Sequence, residues 1–200
     1  MALARDYLPA AGQHWLLPFY DPLVALLTRE RKWRGEIIAS LALAPGDVVA
    51  DIGCGTGSLA VMAKQAEPRA EFIGIDPDPD ALARAERKAK SKGVSIAFKR
   101  GFGDETAKIA GAGGLTKVVS SMALHHMPHE TQAKTIAAMR DALRPGGAIR
   151  IADFAAGHFA SADTNLVRDL TAAGFENARV LKRFRMFFSD AMLVAAEKPR

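Results

Sequence analysis

The chain has 200 residues, 49% of them hydrophobic and 24% charged, enough to bury one core of ordinary domain size. Its formal charge is +5 at pH 7, no apolar run approaches the roughly 18 residues that cross a bilayer, and the N-terminus lacks the pattern of a signal peptide. A single cysteine, Cys54, excludes an internal disulfide framework, and these features together set the expectation of a cytoplasmic protein.

Residues 1–44 read as mostly helical, since Leu23, Leu26 and Leu27, then Ile37, Ile38 and Leu41, recur at helical spacing around a polar knot at 29–34. Pro45-Gly46-Asp47 is a turn signal, and Val48–Ile52 a short strand with β-branched residues. A helix over 58–65 and a second strand over 70–75 follow. Asp78 is placed to cap a helix with Pro79 at its first position, running to about Lys92 and stopping at Gly93. A third strand is predicted over 94–99 and a fourth over 117–122, with the Gly- and Ala-rich stretch 101–116 between them as the least structured part. Residues 130–143 form an amphipathic helix closed by Arg144-Pro145-Gly146-Gly147. A fifth strand spans 148–154, a helix spans 165–173, and two apolar segments, 179–184 and 191–197, read as a final antiparallel pair. Strands alternating with helices imply crossover units, hence an α/β protein with a mainly parallel sheet and helices on both faces.

The stretch from Val48 to Ala60, VVADIGCGTGSLA, carries the first functional signal. Ligands of open parallel sheets sit beyond the carboxyl ends of the strands. There Gly53, Gly55 and Gly57 let the backbone turn sharply and approach a ligand, and the helix that follows presents unpaired N–H groups. A glycine loop also serves phosphate-binding folds, so the acids decide. Asp51 would repel a pyrophosphate and favour an ammonium group. Asp76 ends the second strand, where an acid can accept both hydroxyls of a ribose. The pair suggests a ligand with a ribose and a cationic group and without a pyrophosphate.

Four blocks in order, VADIGCGTG, IGIDPDPDALARA, KVVSSMALHHM and ALRPGGAIRIADF, resemble the class I S-adenosylmethionine-dependent methyltransferases, in particular the ubiquinone/menaquinone-biosynthesis-like (type 11) set. The resemblance covers residues 45–155, with a weaker echo in LTAAGFENARV and AMLVAAEKP. It implies a Rossmann-like seven-stranded, mainly parallel sheet with an antiparallel final strand. It also implies an S-adenosylmethionine-binding domain over 45–200 and a helical segment over 1–44 that lids the pocket. Gly53, Gly55 and Gly57 match the family's loop around the methionine moiety, with Cys54 and Thr56 inside that loop. Asp51 matches the acid at the strand end, Asp76, with Pro77 beside it, the ribose-binding acid, and Ser121 the position that faces the cofactor after the fourth strand. The family carries Gly-Asp-Ala after its third strand, where the acid holds the adenine amino group. Here the place reads Arg100-Gly101-Phe102-Gly103, so either Phe102 lies against the adenine or Asp104 reaches back to it.

The acceptor side is written more faintly. His125 and His126 follow the fourth strand and His158 the fifth, and each is a candidate general base toward a hydroxyl or carbon acid. His129 reads as the start of a surface helix, and no histidine spacing matches a metal site. Trp15, Phe19, Tyr20 and Trp33 either wall an apolar acceptor pocket or staple helices to the sheet. Two basic clusters stand out, Arg84, Arg87, Lys88, Lys90, Lys92, Lys99 and Arg100, and Arg179, Lys182, Arg183 and Arg185. No aromatic residues interleave with the first, so it reads as a solvated helix face and strand end. The stretch 183–188, which mixes arginine with aromatics, reads as core strand and substrate rim. Ser120-Ser121-Met122-Ala123 stands where an Asn/Asp-Pro-Pro-Tyr/Phe signature marks many enzymes that methylate planar nitrogens, and no dedicated nucleic-acid module is seen. The expectation is therefore methylation of a small molecule, apolar or aromatic. An RNA or protein methyltransferase and a non-catalytic cofactor-binding scaffold or sensor remain the alternatives, and a nicotinamide dehydrogenase fits the loop spacing less well.

Overall fold

The computed structural model describes residues 30–157, 165–185 and 189–200. Helix α1 (Glu30–Leu41) precedes β1 (Val48–Ile52), α2 (Ser58–Ala66), β2 (Glu71–Asp76), α3 (Pro79–Ser91) and β3 (Ala97–Arg100). The short α4 (Thr106–Ala110), β4 (Leu115–Ser121), α5 (His129–Ala142), β5 (Leu143–Gly157), α6 (Leu166–Ala172), β6 (Glu176–Arg185) and β7 (Ser189–Glu197) follow. The strands form one seven-stranded sheet in the order β3-β2-β1-β4-β5-β7-β6. β1 runs parallel to β2 and β4, β2 to β3, and β4 to β5, while β7 lies antiparallel between β5 and β6. This is the Rossmann-like architecture the resemblance implies, with β7 as the antiparallel strand.

The period-two alternation of β1 sorts its side chains onto two faces. Val49 packs with Trp33, Ile37 and Leu41 of α1 and Leu59 of α2. Ala50 and Ile52 pack with Ile136 and Met139 of α5 and Leu166 and Leu170 of α6. A strand buried on both faces reads as a continuous apolar run, which is why β1 is conspicuous in the sequence. Each fully buried aliphatic side chain here contributes about 1.5–3 kcal/mol relative to exposure. Helix α3 begins as its sequence predicts: the Asp78 carboxylate accepts from the amides of Asp80 at 2.8 Å and Ala81 at 3.3 Å, ahead of Pro79.

At the opposite end of the sheet, Asp47 staples the turn before β1 to the start of β4. It accepts from the Ala44 amide at 2.7 Å, the Thr116 hydroxyl at 2.8 Å and the Lys117 ammonium. Burial alone would raise its pKa; the Lys117 hydrogen bond, with those from Ala44 and Thr116, outweighs burial and holds it below the usual value. Helix α1 is fastened to the sheet by Arg150 Nε of β5 donating to the Ser40 carbonyl at 3.0 Å and by a 2.7 Å ion pair between Lys182 of β6 and Glu36.

Three boundaries depart from the sequence reading. β3 begins at Ala97 rather than at residue 94, because the Val94 amide donates to the Ala89 carbonyl at 3.1 Å and closes α3. The stretch 101–116 is ordered: a 3-10 turn (Gly103–Glu105) leads into α4, Thr106 Oγ1 donates to the Gly103 carbonyl at 2.6 Å, and Gly103 sits against Thr135 of α5. β5 starts at Leu143, since the Gly146 amide donates to the Lys198 carbonyl at 3.0 Å and the Lys198 amide to the Gly147 carbonyl at 2.8 Å, drawing the expected turn into the sheet.

Candidate active site

Chain order reverses between β1 and β4, so their connections leave in opposite directions and open a crevice at the carboxyl ends. The loop after β1 hooks back onto β2: the amides of Gly53 and Cys54 both donate to the Ile75 carbonyl, at 2.8 and 3.1 Å. Gly55 N donates to Asp76 Oδ2 at 2.8 Å and Asp78 N to Asp76 Oδ1 at 2.9 Å, so the acid at the end of β2 latches the loop after β1. Burial pushes the Asp76 pKa up, opposed by these two amides.

The glycines of the loop have φ values of 70°, 52° and 74°, the left-handed region. Their surroundings differ. A Cβ at Gly53 would collide with Ala123, and one at Gly57 would lie 2.8 Å from the Ala85 Cβ and 3.1 Å from the Phe98 ring. A Cβ at Gly55 would meet no protein atom within 4 Å. Gly53 and Gly57 are thus required by packing inside the protein, whereas the face of Gly55 is open to a ligand.

Asp51 is 1% exposed. It receives a backbone hydrogen bond from Ala60 of α2, while its Oδ2 has no hydrogen-bond partner among the described residues. Burial raises its pKa to about 7; Arg34 opposes this and Asp76 adds to it. Ser121 at the end of β4 presents a second buried oxygen, Oγ, with no partner among the described residues. Two buried oxygens without protein donors, an acid and a hydroxyl, therefore flank the crevice. The arrangement suits a cationic, hydroxyl-rich ligand, since leaving such atoms unsatisfied costs about 1–3 kcal/mol each.

Cys54 lies in the loop but is buried against Gly74, and burial with the nearby Asp51 and Asp76 holds its thiol well above the ordinary pKa. It is a packing residue, not a thiolate nucleophile. Thr56 accepts from Lys88 Nζ at 2.9 Å, and the same ammonium reaches Ser58 Oγ at 2.6 Å, so one lysine of the basic cluster braces the loop. Pro77 takes a 3.2 Å hydrogen bond from Arg100 Nε through its carbonyl, and the Gly101 amide donates to the Asp76 carbonyl at 3.1 Å. Phe102 is half-buried; its amide donates to Glu105 Oε2 at 3.1 Å. Glu105 thus holds the amide beside the missing acid, a role the sequence reading missed. A carboxylate three residues after the departure from Gly-Asp-Ala was the available signal.

The histidines separate sharply. His125 stands in a 3-10 turn (Leu124–His126) with its Nδ1 2.7 Å from Asp153 Oδ1. Asp153 is 1% exposed and also accepts from the amides of Leu124 at 2.8 Å, His125 at 3.3 Å and Phe154 at 2.8 Å. Asp153 thus anchors the His125 ring. The Phe154 ring meets His125 edge-on at 4.7 Å. The His126 ring lies 4.0 Å from that of His125, tilted by 40°, and partial desolvation with the adjacent His125 lowers its pKa against the pull of Asp153. Two residues before this turn, Met122 has φ 53° and its amide donates to the Ala152 carbonyl at 2.8 Å, a left-handed residue of the kind found where strain serves a site. His129 sits on α5, 3.8 Å from Asp169, and belongs to a different surface. His158 lies outside the described residues, as do Trp15, Phe19, Tyr20, residues 186–188 and most of the expected lid. Trp33 is buried against the sheet. No group of three metal-ligating side chains occurs among the described residues.

Residues 49–147 match the family described as Methyltransferase domain. A demethylmenaquinone methyltransferase from Thermus thermophilus is 38% identical over 86 residues, covering 42% of this chain and 39% of that one. Another from Deinococcus radiodurans is 31% identical over 142 residues, covering 70% and 57%. The matched segments span about half the length of these curated relatives, 39% and 57%. Among solved structures, magnesium protoporphyrin IX methyltransferase from Synechocystis with bound S-adenosylmethionine superposes with a TM-score of 0.70 at 22% identity, over 84% of this chain and 79% of that one, a likeness of fold.

Proposed function

We propose, from the premise that this chain carries a class I S-adenosylmethionine-dependent methyltransferase domain, that it methylates a small, apolar or aromatic acceptor whose reacting group bears a proton. The observation that carries the reading is the convergence of the Gly55 cradle and the unsatisfied oxygens of Asp51 and Ser121 on one crevice, with the His125–Asp153 pair one turn beyond β4.

S-adenosylmethionine, when bound, supplies an electrophilic methyl group on a sulfonium sulfur. The chain's part is to hold, align and dehydrate the reactants. Asp51 Oδ2 would take the ammonium, and Gly53 to Gly57 would bring backbone against the methionine moiety. Each Asp76 oxygen has accepted one amide and retains a lone pair for a ribose hydroxyl. Gly101, Phe102 and Gly103 would border the adenine, with Phe102 against its face. His125 donates Nδ1–H to Asp153, which leaves Nε2 as the atom that takes the acceptor's proton. A base is useful to a phenol, an enol or an aromatic carbon activated by an adjacent hydroxyl. The demethylmenaquinone methyltransferases among the relatives support an acceptor of quinol type. We also read the protein as cytoplasmic, with the segment before residue 45 closing over the acceptor; no helix among the described residues is long and apolar enough to cross a membrane.

Calorimetric titration with S-adenosylmethionine and S-adenosylhomocysteine, with NADH as control, tests the cofactor, and a screen of phenols and reduced quinones with labelled methyl tests the acceptor. Binding of the first two with methyl incorporation into a hydroxylated ring is the expected result. Binding without any turnover would favour a scaffold or sensor, and no binding would overturn the reading.

A further inference from the structure

Trp33 is 6% exposed, yet its indole Nε1–H has no hydrogen-bond partner among the described residues. A buried indole N–H ordinarily finds an acceptor, because burial strips its water without replacing the bond. Two tethers fix where this one sits. Arg150 of β5 donates to the Ser40 carbonyl at 3.0 Å, and Lys182, level with Leu193 and Ala152 across the sheet, pairs with Glu36 at 2.7 Å. From Ser40 to Glu36, α1 therefore climbs from the level of Arg150 to that of Ala152, toward the carboxyl ends of the parallel strands. Trp33 lies three residues further on, about 4.5 Å at the helical rise. It is buried in the cluster that holds Val49 and Val119, against which Met122 also packs. Val49 and Asp51 alternate onto that same face of β1, as Val119 and Ser121 do on β4. Three buried polar groups without partners among the described residues thus share one face and one end of the sheet: Trp33 Nε1, which can only donate, Ser121 Oγ, and Asp51 Oδ2.

The charge pattern of the ligand says what this donor meets. An amino-acid end carries its ammonium and its carboxylate on one carbon, so a site that takes the first through Asp51 must take the second nearby. Asp51 and Asp76 repel a carboxylate. The glycine loop has spent its own donors: the amides of Gly53 and Cys54 go to the Ile75 carbonyl, that of Gly55 to Asp76 Oδ2 and that of Gly57 to the Cys54 carbonyl. The carboxylate therefore needs a donor from outside the loop. The Arg34 guanidinium, 4.8 Å from the Trp33 ring centroid, makes the surroundings of the indole electropositive and so favourable to an anion. We propose, on the reading of this crevice as an S-adenosylmethionine site, that Trp33 Nε1–H is a cofactor-binding donor that holds the carboxylate of the methionine moiety while Asp51 takes its ammonium. Helix α1 then belongs to the cofactor site as well as to the core, and the residue at its sheet-facing end must be an indole rather than a plain apolar ring.

The test uses the full chain with S-adenosylhomocysteine and its decarboxylated analogue, which keeps the adenosine, the sulfur and the ammonium. In calorimetry the wild type should bind the analogue about tenfold more weakly or worse, the fold-change of a hydrogen bond to a charged group. Trp33→Phe keeps an aromatic ring in the core and removes the N–H. It should lose a similar factor for S-adenosylhomocysteine and bind the analogue as the wild type does. NMR of the indole N–H groups gives a second readout with residue 33 intact. The Trp33 resonance, told apart in Trp15→Phe from that of the other tryptophan, should move downfield with S-adenosylhomocysteine and stay in place with the analogue. Equal losses for both ligands in Trp33→Phe overturn the proposal and mean packing alone. Unchanged affinity for both with reduced turnover overturns it in favour of a contact with the acceptor. If Trp33→Phe does not fold, an indole resonance that answers both ligands alike, or neither, overturns it. A wild-type protein that binds neither ligand overturns the cofactor reading itself, and the assignment of Trp33 falls with it.

Discussion

Asp76 holds Gly55 by its amide at 2.8 Å, so the acid expected to grip a ribose also grips the loop that approaches the rest of the cofactor. Asp76→Ala should therefore lose both the ribose contact and the latch. Charge-assisted hydrogen bonds of this kind are worth about 1.5–3 kcal/mol each, and the dissociation constant for S-adenosylhomocysteine should rise at least tenfold. Asp76→Asn, which keeps one acceptor oxygen for one of the two amides, should fall between. Calorimetry on the two variants checks the order, and an unchanged constant in Asp76→Ala would remove Asp76 from the site.

The glycines of the same loop should fail in different ways. At Gly53 a methyl group collides with Ala123, so Gly53→Ala should unfold the protein at lower denaturant. At Gly55 a methyl group meets only open space, and the φ of 52° costs an alanine about 1–2 kcal/mol. Gly55→Ala should fold and lose cofactor affinity out of proportion to its stability. Urea unfolding beside calorimetry separates the two, and a Gly55→Ala protein that binds as well as wild type would place the cradle elsewhere.

These contrasts show what a linear reading can reach. β1, the loop, Asp51, Asp76 and the Asp78 cap were legible because each signal lies within a few residues and each rests on local chemistry: an apolar run, a sequence of glycines, an acid before a proline. The role of Asp153 was not, because it exists only across the sheet. Asp153 meets His125 from 28 positions away, and only the pairing of β4 with β5 brings them together. The helix in the 101–116 stretch was missed for a related reason. Its glycines are weak helix formers, and its order comes from Thr106 and from Gly103 seated against Thr135 of α5, a long-range contact. An acid inside an apolar strand, as in the IRIADF run within β5, was the hint that could have located Asp153.

The His125–Asp153 pair makes a kinetic prediction. Asp153→Asn preserves shape but removes the charge that stabilises a protonated imidazole and the certainty that Nδ1 carries the proton. With an acceptor from the screen, turnover should fall about 10²–10⁴-fold in His125→Gln, the range for a general base, and somewhat less in Asp153→Asn. S-adenosylhomocysteine affinity should stay within twofold in both. If turnover survives in His125→Gln, the acceptor ionises without help from this residue and the pair serves to fix the turn after β4.

Asp51 offers a test in the stability of the ligand-free protein. Its folded pKa of about 7 lies above the ordinary aspartate value of 3.8, so ionisation opposes folding. An acid raised in this direction destabilises the fold as pH climbs past its unfolded value, and the penalty is complete once pH exceeds the folded one. Stability should therefore increase as pH falls from 8 toward 5. Asp51→Asn removes the buried charge and should be the more stable protein at pH 8, by an amount on the order of a few kcal/mol, with the advantage shrinking at pH 5. The same substitution should abolish tight binding of S-adenosylhomocysteine, because the neutral amide cannot balance an ammonium. Urea unfolding at the two pH values decides the first point. A variant less stable than wild type at pH 8 would mean that attraction to Arg34 exceeds the cost of burial, and that Asp51 is retained for the fold rather than for the ligand.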